Sequence, residues 1–162
     1  MIRDARESDL ESIVRIYNAA IPSRLATADT EPISVESRRP WLREHDSRRH
    51  PLWVAERDGR VAGWLSVSAF YGRAAYAATA ELSVYVDPAR QGAGVASGLV
   101  QRALDHAAAL SLRTYLGFIF AHNARSLALF RKFGFAAWAH LPRVAVLDGV
   151  ERDLMILGKR VG

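Results

Sequence analysis

The sequence predicts an α+β domain, a mixed α/β arrangement of sheet and helices. Three observations carry that prediction. Strand-like and helix-like periodicities follow one another as one strand, two helices, a run of antiparallel strands, then helix, strand, helix and two strands. That order is not a repeated βαβ unit. Asp-Gly pairs at Asp58-Gly59 and Asp148-Gly149 separate strand-like runs, where such pairs favour tight hairpins. One glycine-rich turn, Gln91–Ser97, leads from a strand into a helix. The chain has 162 residues and 50% are apolar, enough for one domain over residues 1–162 with a real core.

Each element has its own signal. Ile2–Ala5 suits a short first strand. Ser8-Asp9-Leu10-Glu11 has the form of a capping box, and Leu10, Ile13, Val14, Tyr17 and Ile21 then recur at helical spacing. Pro22 ends that helix, and residues 23–33 are polar and irregular. A second helix is expected over Val35–Arg49, kinked or begun late at Pro40. Leu52–Glu56 and Arg60–Phe70 are hairpin strands, and a loop of small and aromatic residues follows over Tyr71–Ala78. Thr79–Pro88 is another strand. Val95–Leu112 is helical, with Val95, Leu99, Val100, Ala103, Leu104, Ala107 and Leu110 on one apolar face. Thr114–Phe120 is a buried strand, Ala124–Phe133 a short helix, and Ala136–Leu147 and Glu151–Leu157 the closing strands.

Composition narrows the function classes. The N-terminus is charged from its third residue, and no apolar run approaches the roughly 18 residues of a membrane helix. There is no cysteine, which removes disulfides and thiolate metal sites. His106, His122 and His140 lack the spaced partners of a metal motif and read as structural or solvent-exposed, so no metal is expected. The net charge of +5 is spread over scattered arginines, without the basic stripe and interleaved aromatics of a nucleic-acid binder. A soluble cytoplasmic protein with one anionic small-molecule site is the expectation.

The glycine-rich turn is the most informative stretch. A Walker A loop requires Gly-Lys-Ser/Thr, and no lysine is present. A dinucleotide fingerprint requires a third glycine where Ser97 stands, within a βαβ repeat that is absent. Two readings remain. Small residues here either pack a helix tightly on the sheet or let a diphosphate approach backbone N–H groups at the helix start.

Gln91-Gly92-Ala93-Gly94-Val95-Ala96 has the form Q-x-x-G-x-A. It resembles the coenzyme A pyrophosphate loop of the GCN5-related N-acetyltransferases (GNAT). Ser83–Pro88 fits the strand that precedes that loop. Asn123, Phe130 and Gly134-Phe135 fit the family's later asparagine-led motif. The resemblance covers essentially the whole chain and implies a mostly antiparallel, twisted sheet flanked by helices, with acetyl-CoA as cosubstrate. It implies that backbone N–H groups of Gly92, Ala93, Gly94, Val95, Ala96 and Ser97 cradle the pyrophosphate. Val84, Tyr85 and Val86 would offer main-chain bonds to the pantetheine and acetyl groups. Asn123 would contact the cofactor through its amide, and capping the following helix is an equally physical role for it.

Acetyl transfer to an amine needs a base, and Glu81 is the candidate. Strand alternation puts Glu81, Ser83 and Tyr85 on one face and Leu82, Val84 and Val86 on the other. On chemistry alone Glu81 is as readily a solvated strand residue. Glu81-Leu-Ser-Val-Tyr-Val86, Ile2–Ala5, Ile16-Tyr17-Asn18 and Leu141-Pro142-x-Val144 resemble the phosphinothricin and methionine sulfoximine acetyltransferases, close to amino-acid N-acyltransferases. That resemblance implies Glu81 as general base. Phe130 stands where many family members have an acid tyrosine; a thiolate is a good leaving group, so either no acid is needed or Tyr85 or a water takes that role. Tyr71, Arg73, Tyr76 and Thr79 are the expected substrate residues, with Tyr71 and Ala77 where arginines are usual. The resemblance puts Arg38, Arg39 and Trp41 where the family's second helix borders the acceptor site, but on residue chemistry they read as a solvated helix face with one buried indole. The implied activity is N-acetylation of a small amino acid or analogue. Acetylation of a protein N-terminus or lysine, or acetyl-CoA binding without turnover, are the alternatives. Family analogy implies a homodimer, with Asp153–Leu157 contributing.

Overall fold

The computed structural model describes residues 1–162. In chain order it comprises β1 (Ile2–Asp4), α1 (Leu10–Ala20), α2 (Val35–Glu44), β2 (Leu52–Arg57), β3 (Arg60–Ala69) and β4 (Thr79–Val86). Then follow α3 (Val95–His106), β5 (Thr114–Phe120), α4 (Ala124–Lys132), β6 (Ala136–Leu147) and β7 (Val150–Arg160). The seven strands form one sheet in the order β1-β2-β3-β4-β5-β7-β6. Every neighbouring pair is antiparallel except β4 and β5.

The local expectations hold in outline and shift at the ends. Ser8 is exposed and does not cap α1. Arg3 instead grips both oxygens of Asp9, at 2.8 and 3.0 Å, and Asp9 also accepts the Arg6 N–H at 2.7 Å. A carboxylate held by an arginine fork outcompetes a serine hydroxyl for the turn. Helix α2 starts at Val35, where the Ser34 hydroxyl caps the Ser37 N–H, so Pro40 lies inside the helix rather than at its start. It ends at Glu44, short of Arg49, because Asp46 turns the chain by accepting the N–H groups of Arg48 and Arg49. Helix α3 stops at His106, and Leu112 N–H returns to the Ala107 carbonyl.

Two hydrophobic clusters flank the sheet. Side chains alternate across β2, so Leu52 and Val54 pack with Ile13, Ile16 and Tyr17 of α1. Trp53 and Ala55 join the larger cluster with Leu99, Val100 and Ala103 of α3 and Phe130 of α4. Helices α1 and α2 therefore cover one face, and α3 and α4 the other.

One irregularity positions the site. Strand β4 stays in register with β3 from Ala80 to Val86, but it pairs with β5 only over Thr79–Glu81. Beyond that point β5 continues to Phe120 against β7. The two parallel strands part after Glu81, and the edge of Leu82–Val86 that faces β5 has no strand partner.

Candidate active site

The β3–β4 register builds a floor in three rows. Tyr85 lies opposite Trp64, Ser83 opposite Ser66, and Glu81 opposite Ser68. Tyr85 and Trp64 stack with centroids 4.7 Å apart. Ile13, Val14 and Tyr17 of α1, Ile33, and Arg38 and Trp41 of α2 close the walls around about 200 Å³. That volume is below the roughly 300–1,000 Å³ of sites for drug-sized ligands, so it suits a small acceptor.

Glu81 sits where this pocket meets a second one. That second chamber, about 400 Å³, follows the parting of β4 and β5 and is lined by Leu82, Val84, Phe118, Phe120 and Phe130. Glu81 is partly buried, and burial alone pushes its carboxyl above the usual glutamate range. A carboxyl so placed, with no cation to hold its charge, is a better base than a solvated one.

A strap of residues 24–29 roofs the junction. Three consecutive carbonyls accept from the β5–α4 turn and from β4: Arg24 from His122 Nε2 at 2.8 Å, Leu25 from Asn123 Nδ2 at 3.1 Å, and Ala26 from the Tyr85 hydroxyl at 3.0 Å. Tyr17 adds hydrogen bonds to Thr27 Oγ1 and Asp29 Oδ2. These bonds give Tyr85 and Asn123 work that the sequence did not show. The Tyr85 proton is committed to Ala26, and burial drives the phenol well above its ordinary pKa, which opposes a role as acid. Asn123 caps α4 through Oδ1 to Ser126 N–H, and its amide donates to Leu25 and to Ser126 Oγ. The capping role is therefore the one that this geometry displays.

The second chamber opens into a groove of about 690 Å³ lined by Val84, Tyr85, Val86, Gly92, Gly94, Val95, Ala96 and Ser97. Gly92 and Gly94 have φ of +81° and +77°, and a Cβ at either would meet nothing within 4 Å. Backbone conformation demands these glycines, and the space beside them is open. Gly94 offers no side-chain cap to α3. The first N–H to find a helical carbonyl is that of Gly98, on Gly94 at 3.0 Å. The preceding N–H groups at the α3 start thus line the groove, where Arg125 and Lys132 add positive charge beside Arg90, which is paired with Asp58 at 2.8 Å. Ala93 turns its N–H back to Arg90 and is not among the groove residues. An uncapped helix start, three cations and an unpaired strand edge fit the diphosphate and amide-bearing arm of coenzyme A.

The loop expected to hold the acceptor is less engaged. Tyr71 is 77% and Tyr76 43% exposed; they cluster with Phe70, which approaches Phe118 of the second chamber. Arg73 is exposed, and Thr79 lies half-buried beside Thr114 at the start of β4. None of these four lines either pocket that contains Glu81. Phe130 lines the second chamber, 2% exposed, and its ring fills the place that a Cβ on Gly117 would need, 2.8 Å away.

The sequence reading underrated α2. Arg39 does face solvent, paired with Glu7 and Glu36, but Arg38 and Trp41 line the pocket. The usable signal was their i, i+3 spacing, which places both on one helix face. Arg152, Asp153 and Leu154 lie in β7, which runs inside the sheet between β5 and β6, so β6 and not Asp153–Leu157 forms the open edge. The three histidines have local partners: His106 beside Trp53, His122 on the strap, His140 on Asp153. No helix is long and apolar enough to cross a membrane.

Comparison with known proteins agrees with this geometry. The sequence model of the acetyltransferase (GNAT) family matches residues 11–135. YwnH of Bacillus subtilis (strain 168), which carries the provisional name of a phosphinothricin acetyltransferase, is 50% identical over 99% of this chain and 98% of its own. The L-methionine sulfoximine/L-methionine sulfone acetyltransferase of Salmonella typhimurium is 31% identical over 96% of this chain and 91% of its own. The crystal structure of a phosphinothricin acetyltransferase from Sinorhizobium meliloti in complex with acetyl-CoA superposes with a TM-score of 0.94. It is 28% identical, covering 100% of this chain and 88% of that one.

Proposed function

Because the chain belongs to the acetyltransferase (GNAT) family, we propose that it moves the acetyl group of acetyl-CoA to the primary amine of a small amino acid or amino-acid analogue. The acceptor class is that of phosphinothricin and methionine sulfoximine, attacked directly with both substrates bound. One observation carries the reading. Glu81 is a part-buried carboxyl, its pKa raised by burial alone, at the junction of a small polar–aromatic pocket and the slot between β4 and β5.

Bound acetyl-CoA supplies a thioester carbonyl open to attack by an amine. The N–H groups of Gly92, Gly94, Val95, Ala96 and Ser97 hold its diphosphate, with Arg90, Arg125 and Lys132 adding charge. The free edge of Val84–Val86 pairs with its amide-bearing arm and offers N–H donors where negative charge develops on the carbonyl oxygen. Glu81 takes a proton from the acceptor's ammonium, directly or through a water, which frees the nitrogen lone pair. The amine nitrogen bonds the thioester carbonyl carbon, the C–S bond breaks, and coenzyme A leaves as its thiolate; the surplus proton on nitrogen passes to solvent water or to that thiolate, because Tyr85 serves as a clasp for the roof and Phe130 has no proton to give. Asn123 orders both the roof and the start of α4.

The exposed apolar side chains Trp138, Val144, Val146 and Val150 support a homodimer through the edge hairpin of β6 and β7; light scattering on the purified protein tests it. We place the enzyme in the cytoplasm. The activity itself is tested by thiol release from acetyl-CoA, free of background because the chain lacks cysteine. Phosphinothricin, methionine sulfoximine, methionine sulfone, common amino acids, polyamines and a basic peptide form the panel. Release dependent on one small amino acid supports the reading. Release with the peptide alone replaces it with protein acetylation, and acetyl-CoA binding without release from any acceptor points to a binding module.

A further inference from the structure

We infer that Arg38 determines acceptor specificity by binding an oxyanion of the substrate, its α-carboxylate or a side-chain oxoacid. This rests on the reading that the pocket beside Glu81 takes an amino acid. Arg38 is the one cation among the twelve residues that line this pocket. Its guanidinium lies over the Tyr17 ring at 5.0 Å and the Trp41 ring at 5.3 Å. Its approach to Asp29 Oδ2, 3.9 Å, is beyond hydrogen-bonding distance. Asp29 is itself engaged by the Tyr17 hydroxyl. The side chain is only 28% exposed. Arg3, Arg15, Arg24 and Arg39 each hold a carboxylate within 3.1 Å, so Arg38 differs in keeping its donor fork free.

The two aromatic rings fix the plane of the fork at low entropic cost, and a planar fork of donors matches a carboxylate or phosphinate. The pocket then offers both complements of an amino acid. Glu81 faces the ammonium, Arg38 the anion, and the Ser66, Ser68 and Ser83 hydroxyls line the space between the aromatic end and Glu81. A polyamine has no anion to offer Arg38, and a lysine within a peptide has its α-carboxyl tied up in an amide bond. The arrangement therefore selects free acidic or zwitterionic acceptors over simple amines.

Arg38→Met keeps the aliphatic packing on Tyr17 and Trp41 and removes the fork. Initial rates are measured for four acceptors: methionine sulfone, its α-carboxamide, phosphinothricin and its α-carboxamide. Charged hydrogen bonds of this kind correspond to about 10- to 100-fold in affinity. Arg38→Met is expected to raise the acceptor KM by that factor for the members that retain the contacted oxyanion, with kcat and the acetyl-CoA KM little changed. Arg38→Lys should recover part of the loss. A penalty on methionine sulfone but not its carboxamide assigns the α-carboxylate; a penalty on phosphinothricin carboxamide assigns the side-chain oxoacid. An equal penalty on all four acceptors, or none, overturns the role of Arg38 while leaving the acetyltransferase reading intact. Wild-type protein that acetylates none of the four overturns both.

Discussion

Replacing Glu81 by glutamine tests the chemistry most directly. The substitution keeps size and shape and removes the one carboxyl at the junction of the acceptor pocket and the β4–β5 slot. A positioned base contributes about 10²–10⁴-fold, equivalent to about 2.7–5.4 kcal/mol of barrier at 1.36 kcal/mol per decade. Glu81→Gln should therefore lower kcat by two to four orders of magnitude on that scale, with the acetyl-CoA KM little affected. The pH profile adds an independent reading. Burial raises the Glu81 pKa, and only the deprotonated form accepts a proton. Wild-type activity should fall as pH drops through a value above the ordinary glutamate range, and that limb should vanish in Glu81→Gln. The stability sign is opposite. A raised folded-state pKa means that the native protein binds this proton more tightly than the unfolded chain does. Stability from this group is thus greatest at low pH and declines as pH rises through the ordinary and then the raised value. At neutral pH the glutamine variant should melt no lower than wild type, which separates lost chemistry from lost fold. Thiol-release kinetics between acid and mildly alkaline pH, with melting curves, decide the matter. A variant that keeps more than about a tenth of wild-type kcat, with the acid limb still present, would refute Glu81 as base.

Three further substitutions probe the frame around it. Tyr85→Phe removes the donor to the Ala26 carbonyl, an exposed hydrogen bond worth about 0.5–1.5 kcal/mol net; the melting temperature should fall by a few degrees at most while kcat drops far less than in Glu81→Gln, and a loss as large as that of the glutamine variant would restore Tyr85 as the acid. Gly94→Ala meets no atom within 4 Å but must hold φ at +77°, at about 1–2 kcal/mol; a melting shift of about 2–8 °C with a raised acetyl-CoA KM is expected, and an unchanged KM would argue against the cradle. Gly117→Ala would push a Cβ to 2.8 Å from the Phe130 ring; overpacking of about 1–3 kcal/mol should appear in calorimetry, with Phe130→Leu relieving it.

The legible part of the site lies within single segments. Gly92 and Gly94 stand where positive φ and an open flank are needed, and that requirement is written in three consecutive residues. Glu81 could be placed on the same face as Ser83 and Tyr85 because strand side chains alternate with a period of two. The Asp-Gly pairs gave both hairpins for the same local reason.

What no local motif could show joins distant segments. The Ser8 capping box lost to Asp9 because Arg3 of β1 reaches across to it. The Asn123 amide is spent on Leu25, 98 residues away, and the Tyr85 hydroxyl on Ala26, 59 residues away. Nothing in either local motif encodes the strap that supplies those carbonyls. The exposed Tyr71–Tyr76 loop drew attention through its aromatics, whereas Arg38 became the pocket's cation only when α2 packed across β3 and β4.

By itself, then, the sequence determined the conformations that backbone and periodicity dictate: the order of elements, the glycine turn at the start of α3, and the face of β4 that carries Glu81. Tertiary structure decided which side chains meet. The parting of β4 and β5 after Glu81 is a relation among four strands, since β4 stays in register with β3 to Val86 while β5 stays in register with β7 to Phe120. Packing energy is shared among residues far apart in the chain, and only the assembled sheet fixes which buried polar groups have partners and which, like Glu81, are left free to act.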